Sequence, residues 1–592
     1  MKNDFLNIFG KKVMKTNRLF ALLLASGVLT LGACKDEFLD VPPANALGDA
    51  QLQTKAGVEG LLVGTYAALN GVFGNRFEGP NHWITGSILG GDANKGTDAG
   101  DYSSINPVQR FEHDATQGDL NNLWRGRYEG VSRANKVIAT ATAIQDQLTA
   151  ADYASIVGQA RLLRGHFYFD LKKHFNSIPV FDETVGAADI TAVPNTPDVW
   201  AFIEADFQYA VDNLPAVTGA GRVNKWAAAA YLGKAQLYQG KWAAAKATFD
   251  GVISQGVTSN GLQYALVDDY SSIYNAANDN HAEAVMDVES ANNTGSVNNA
   301  NYFDDLNYPY NTGPDGPGNC CGFFQPSIDL GNHFRTDANG LPLLDYSFST
   351  EANRVKNNFV DGADSAEDAG NLDPRIDHSI GRKGIPYLDW IEHPGSPWIR
   401  SFPYAGPYSP KKYIYYRSQE GSLTDASSWT RGYALMNYTI IRFADVLLMA
   451  AEAEVELGNL DAARTHVNRV RARAANSTYW VQEYDGSGPA ANYVISQYPG
   501  GADAFASQAG ARNAVRFERK IELSGEGHRF FDLVRWGIAA SEMNRYLDEE
   551  GQYLVTKFGG ANFTAGKNEY QPIPQSQIDL QGSDILTQNS GW

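Results

Sequence analysis

One segment, residues 440–474 (IIRFADVLLMAAEAEVELGNLDAARTHVNRVRARA), limits what this chain can fold into more than any other. Phe443, Val446, Leu447, Ala450 and Leu457 fall at helical spacing, Gly458 breaks the run, and Leu460, Ala463, Val467 and Val470 resume it. The pattern predicts two antiparallel helices. Small residues at Ala450, Ala451, Ala453 and Ala463 let two helices approach closely, as a tetratricopeptide hairpin requires, and a turn glycine followed by a hydrophobe fits the same repeat. A second unit matches more literally. Leu232, Gly233, Gly240, Trp242, Ala245, Phe249 and Val252 sit at the offsets of the repeat's leucine-glycine pair, turn glycine, aromatic, alanine, phenylalanine and final apolar position. A third helical stretch, 152–175, is stopped by Pro179. Such hairpins need neighbours to bury their faces, so the units near 160, 232 and 446 are expected to stack although long insertions separate them. Trp226, Trp242 and the aromatics of HFYFDL then read as core.

Three strings occur in order along the second half of the chain: IRFADVLLMAAEAEVELG, FERKIELSGEGHRFFDLVRWG (517–537) and YQPIPQSQIDLQGSDILTQNSGW (570–592). Together they resemble the SusD/RagB family of outer-membrane nutrient-binding lipoproteins. Segments 160–181, 327–343 and 373–380 resemble family segments too, so the resemblance covers nearly the whole mature chain. It implies an all-α fold of tetratricopeptide-like hairpins carrying a large, loop-rich ligand-binding insertion. It also implies a function: capture of a nutrient glycan and its delivery to a SusC-like, TonB-dependent transporter on which the protein sits as a lid. No cofactor is implied.

The N-terminus reads as an address. Lys11, Lys12, Lys15 and Arg18 precede an apolar run, 19–31, that suits a signal peptide and falls short of the roughly 20 residues needed to span a bilayer. Leu31, Gly32, Ala33 and Cys34 then form a lipobox, in which small residues admit the signal peptidase and the Cys34 thiol receives diacylglycerol. Cys34 is expected to begin the mature chain and to anchor it through several acyl chains. Lys35, Asp36 and Glu37 are similar to the charged export signal of this family's bacteria, which implies the outer membrane, facing the cell exterior. The expected organisation is a signal peptide at 1–33, a lipidated tether at 34–55, a helical region at 56–256, a loop-rich ligand-binding region at 257–439 and a C-terminal helical region at 440–592.

A formal charge of -19 and the absence of a basic stripe argue against nucleic acid, whose phosphates need clustered Lys and Arg. Zincin, nucleophile-elbow, phosphate-loop and Cys-x-x-Cys motifs are all missing from the sequence. Glu526, His528, Arg529, Asp532 and Arg535 could pass for a charged active site, but they read as a helix start with internal ion pairs, because such groups are costly to bury unpaired. No catalytic residue and no metal site are expected. Two rivals share these sequence features: a binding protein of the same architecture for peptides or another nutrient, and a surface glycosidase.

Between 257 and 438 the texture turns to Gly, Asn, Pro, Asp and aromatics with little periodicity, as befits long structured loops that carry binding residues. Sugar rings stack their C–H faces on aromatics and offer hydroxyls to amides and carboxylates, so this composition suits carbohydrate. The expected site lies between the loop 83–102, where the resemblance points, and the loop 302–324. Trp83, Phe323 and Phe324 are nominated as stacking faces, and Asp92 and Asn94 as hydroxyl partners. Cys320 and Cys321, adjacent within the second loop, form either a vicinal disulfide that hardens the loop tip or two free thiols. Zinc is excluded there, since no His or further Cys stands at ligand spacing.

Overall fold

Apolar residues at helical spacing set the helices here, and a side chain caps the first turn of some of them. The computed structural model describes residues 49–592 except 296–298, 319, 357–367 and 427–430; Cys34 and the signal-like segment lie outside the described residues. Asp49–Leu52 is a short helix in a unit that ends at Gly57, and a second, much larger unit runs from Val58 to Trp592. In the larger unit, helix α1 is Gly118–Ala143, α2 Ala150–Phe175, α3 Trp200–Asn213, α4 Lys225–Tyr238 and α5 Trp242–Gln255. The Thr149 hydroxyl caps α2 by accepting from the Asp152 amide, and Asn224 caps α4 by accepting from Trp226 and Ala227. Each helix packs on the next, giving a row of antiparallel hairpins.

The row continues across a gap in sequence. Helices α6 (Phe443–Glu456) and α7 (Leu460–Ala474) form the predicted hairpin, and α6 packs directly on α5 and on α8 (Gln508–Glu522). The expected stacking of separated units is therefore present. Strand β2 (Ala284–Val288) leaves the helical row, and β4 (Tyr438–Arg442) returns antiparallel beside it, pairing Tyr438 with Val288. Those two strands close the mouth of the loop-rich insertion, so its length costs the scaffold no separation. Helices α9 (Arg529–Arg535), α10 (Ala539–Tyr553) and α11 (Gln575–Gln581) complete the C-terminal part. The fold is all-α in class, with only short two-stranded pairings among the described residues.

A glycine–phenylalanine contact recurs at the crossings. A β-carbon on Gly130 would meet Phe167 at 2.5 Å, one on Gly165 would meet Phe207 at 2.6 Å, and one on Gly233 would meet Phe249 at 2.6 Å. These place the repeat's glycine and phenylalanine in a physical relation: the ring of one helix occupies the space a side chain would take on its neighbour. Gly233→Ala should destabilise the protein by about 1–3 kcal/mol through overpacking, offset by at most about 1 kcal/mol of helix propensity. Gly251, on the same hairpin, has open space around its β-position, so Gly251→Ala should stabilise by roughly 0.5–1 kcal/mol. Urea unfolding of the two variants checks the opposite signs.

Candidate functional site

The two expected loops are brought together by a strand pairing. β1 (Ala93–Gly96) runs antiparallel to β3 (Phe323–Pro326), with Asn94 opposite Gln325 and Gly96 opposite Phe323. The nominated residues cluster, but as interior. Trp83 and Phe323 expose nothing, and Trp83 meets the edges of Phe323 and Phe324 at 6.3 and 5.8 Å between ring centres. The roles expected of Trp83 and Phe323 as stacking faces are corrected accordingly: a ring with no free face has nothing to offer a sugar. Phe324, half-buried and at positive φ, keeps part of its surface.

Asp92 and Asn94 are also buried; the polar atoms of Asn94 and one Asp92 oxygen serve the fold, while the other Asp92 oxygen is buried without a partner. The Asp92 carboxylate accepts from the Gly525 amide at 3.1 Å, and burial, opposed by Lys520, raises its pKa to about 6. Asn94 donates to the Ala405 carbonyl at 3.0 Å and accepts from the Gly96 amide and the Lys557 ammonium. Hydroxyl recognition by these two is corrected for the same reason, because both side chains are buried. The Gly-Glu-Gly-His block explains part of this burial. Gly527, at positive φ, lies against the Asn81 carbonyl so closely that a β-carbon would sit 2.2 Å from it, and its amide donates to the Ser87 hydroxyl at 2.9 Å. The block is a backbone-to-backbone seat for the turn that carries Trp83.

What the pairing leaves at the surface is a different set. Beyond β1 the chain turns through Thr97, Asp98 and Asp101 to Tyr102, and the turn is built from both sides. From below, the buried Lys95 ammonium donates to the carbonyls of Asp98 and Asp101 at 2.8 and 2.7 Å. Burial lowers its pKa to about 8, with Asp101 and Asp98 opposing that shift. Within the turn, the Asp98 carboxylate accepts from the amides of Gly100 and Asp101, both at 2.9 Å, and the Asp101 amide holds it below the ordinary carboxylate range. Arg400 reaches across to pair with Asp98 at 2.9 Å, with Asp101, and with the Thr97 hydroxyl at 3.0 Å.

Two tyrosines flank this charged turn. Tyr310, half-buried, lies under the Arg400 guanidinium at 5.5 Å, and its amide donates to the Trp398 carbonyl at 2.8 Å. Tyr102, also half-buried, meets the edge of Phe323 at 6.4 Å. The adjacent sulfurs of Cys320 and Cys321 are joined, with Cys320 half-buried. Gly322, next in sequence, would bring a β-carbon within 3.2 Å of Tyr310 and 3.7 Å of Arg400. The surface therefore carries two aromatic side chains, two carboxylates and a guanidinium on loops held from beneath, with the Thr97 hydroxyl buried under Arg400. No group of three or more His, Cys, Asp or Glu residues able to hold a metal occurs among the described residues.

Comparison with known proteins bears on what this architecture is. Residues 282–592 match the profile described as SusD family, and residues 37–237 match one described as starch-binding associating with outer membrane. The chain belongs to the SusD family. The SusD-like protein P2 of Formosa agariphila is 25% identical over 572 residues, covering 95% of this chain and 98% of that protein. A laminarin-binding SusD-like protein superimposes with a TM-score of 0.64 at 22% identity, covering 91% of this chain and 100% of its own. Surface glycan-binding protein A from Bacteroides thetaiotaomicron, solved in complex with laminarihexaose, gives 0.63 at 18% identity, covering 90% and 99%.

Within this SusD-family chain, the sequence signal for the surface was uneven. Tyr310 stands in the aromatic-rich loop and Tyr102 at the end of the first, but neither is among the residues nominated from the sequence. Arg400 carries no local signal, since nothing near it marks a side chain that will cross to Asp98. The charged block around 526–535 is an ion-paired helix start: Glu526 pairs with Arg442 at 2.7 Å, Asp532 with Arg519 at 2.9 Å, and Arg535 with Glu452. His528 is half-buried, and desolvation lowers its pKa to about 4.

Proposed function

We propose that this protein captures a glycan at the outer face of the outer membrane and delivers it to a SusC-like, TonB-dependent transporter, held there by acyl chains on Cys34. The observation that carries the reading is the surface formed by Tyr102, Tyr310, Asp98, Asp101 and Arg400. Apolar ring faces beside paired charges match a pyranose, which shows C–H groups on one face and hydroxyls around its edge. Because Lys95 and Asp98 hold the loop from within, little conformational entropy is lost when ligand arrives. Family membership supports the ligand class, as does the relative solved with laminarihexaose.

The test is calorimetric titration against a panel of oligosaccharides that includes laminarihexaose, with a reducing-sugar assay run in parallel. Binding without sugar release is expected. Tyr310→Ala should weaken binding of the glycan that titrates by about 1–3 kcal/mol, or ~5- to 150-fold, with the melting temperature little changed. Binding of peptides alone would move the protein to another nutrient, and release of reducing sugar would make it a glycosidase. For the transporter, the tagged protein should co-purify with a large β-barrel from mild detergent; repeated recovery alone, under conditions that keep other barrel complexes intact, counts against that step.

A further inference from the structure

We infer that a groove beside α1 is a second saccharide subsite, selective for a ring bearing an anionic group. The inference rests on the carbohydrate reading for its ligand class, but the groove is lined by none of the residues of the first surface. The groove has a volume of about 320 Å³, at the small end of the ~300–1,000 Å³ range typical of ligand sites, and lies between α1, the loop carrying Phe73, and α11. Its floor is aromatic and fixed. Tyr128 stacks on Phe181 with ring centres 5.8 Å apart and planes at 13°, and its hydroxyl donates to the Pro179 carbonyl at 2.8 Å. Stacking and the hydrogen bond fix the Tyr128 ring, which lines the groove and is half-buried.

Two polar groups at this groove lack partners of complementary kind. The exposed Arg125 guanidinium lies 4.2 Å over the ring of Phe73, which is itself 42% exposed, and has no carboxylate or carbonyl partner among the described residues. Glu129, one turn along α1, does not neutralise it, because Arg133 takes that carboxylate at 2.9 Å. On the α11 side, the side-chain oxygen of Gln581 is buried with no donor to accept from. An unpaired cation calls for an anion, a buried unpaired acceptor calls for a hydroxyl, and a fixed aromatic side chain calls for a ring. One ligand class supplies all three: a sugar carrying a carboxylate or a sulfate ester.

The position suits a chain that also occupies the first surface. Phe73 is two residues from Asn75, at most about 7 Å along an extended backbone. The Asn75 amide donates to the Asp119 carboxylate at 2.6 Å, the same carboxylate that accepts from the Tyr102 hydroxyl at 3.4 Å. A net charge of -19 repels anions from most of the molecule, so selectivity for an acidic ring must come from a local cation such as Arg125.

Calorimetry on the full chain tests this with three probes: an oligogalacturonate, a sulfated galactan oligosaccharide and neutral laminarihexaose. At least one acidic probe should bind, and more weakly as salt rises. Arg125→Ala should weaken that acidic probe tenfold or more and leave laminarihexaose unchanged. Phe73→Ala should weaken it as well, with both variants melting like wild type. The acidic probe that responds tells carboxylate from sulfate. Failure of both acidic probes to bind, or equal binding by Arg125→Ala, overturns the inference. Tyr310→Ala separates the two readings: if it abolishes binding while Arg125→Ala does nothing, the first surface stands and the groove does not. If Arg125→Ala alone weakens binding, the groove stands without the first surface.

Discussion

Arg442→Met should cost the folded protein at least about 3–5 kcal/mol, the penalty for removing one member of a buried ion-pair network. Arg442 is 1% exposed and binds three carboxylates: Glu283 at 2.8 Å, Glu522 at 2.6 Å and Glu526 at 2.7 Å. The network extends through Arg473, which pairs with Glu283 and Glu522, and through Arg375, which pairs with Asp373, Glu518 and Glu522. Arg471 on Glu518 and Lys412 on Glu526 complete it, giving five cations against five carboxylates, all buried. Arg442 ends β4, Arg473 lies on α7, Glu522 ends α8, and Lys412 and Arg375 belong to the insertion. The network therefore ties the loop-rich part to the helical row, and its loss should loosen the platform under the candidate surface. Methionine fills the arginine's volume, so the effect read by urea unfolding is the loss of charge rather than a cavity. Arg464→Met is the control, since its partner Asp461 is 89% exposed and the change should stay within about 0.5 kcal/mol. Equal stability of the two variants would show that the network does not clamp the insertion.

The same groups set the response to pH. Burial acting alone would raise the Glu526 carboxyl, but Arg442 and Lys412 outweigh it and bring its pKa to about 2, below the unfolded value near 4.3. A depressed carboxyl contributes stability that is present above the unfolded pKa and lost as pH falls through the folded one, here between about 4.3 and 2. Other buried carboxyls act in the opposite sense. Burial raises Asp304 to about 7, with Asn307 opposing, and raises Glu550 to about 8, with the Asp329 amide opposing. For these, stability is full below the unfolded pKa and declines as pH rises toward 7 or 8. The two windows meet at the unfolded carboxyl values of about 4, so the combined contribution of these groups is greatest there and thermal melts should show it falling on either side.

The helical row was legible because its determinants are local. Gly233 and Phe249 stand at fixed offsets in one hairpin, and the steric relation between them is what the repeat encodes. Gly458 likewise marks a turn at positive φ that few other residues adopt. The burial of Trp83 had no such signature. It depends on Gly527, more than four hundred residues away, whose backbone packs on the segment just ahead of it, and on the β1–β3 pairing that lays Phe323 and Phe324 against it. An aromatic in a glycine-rich loop reads the same whether it faces sugar or core. Charge showed the same division. The block around Glu526 announced ion pairing, but Arg442 and Lys412 as partners, like Arg400 for Asp98, are set by tertiary structure.

Cys34→Ala should move the protein from the washed membrane fraction to the released fraction. No helix among the described residues is long and apolar enough to cross a membrane, so under the proposed function retention rests on acyl chains at Cys34. Each buried methylene contributes about 0.8 kcal/mol, a single chain holds only marginally, and two or more hold firmly. Removing the thiol removes the site of the first acyl addition and with it every later one, which makes the expected change all-or-none rather than graded. Fractionation after a high-salt wash reads it directly. Partner binding could keep an unlipidated chain at the membrane, so the decisive comparison is Cys34→Ala in a strain lacking the transporter barrel. Release only in that strain would divide retention between lipid and partner. Full retention there would refute anchoring through Cys34.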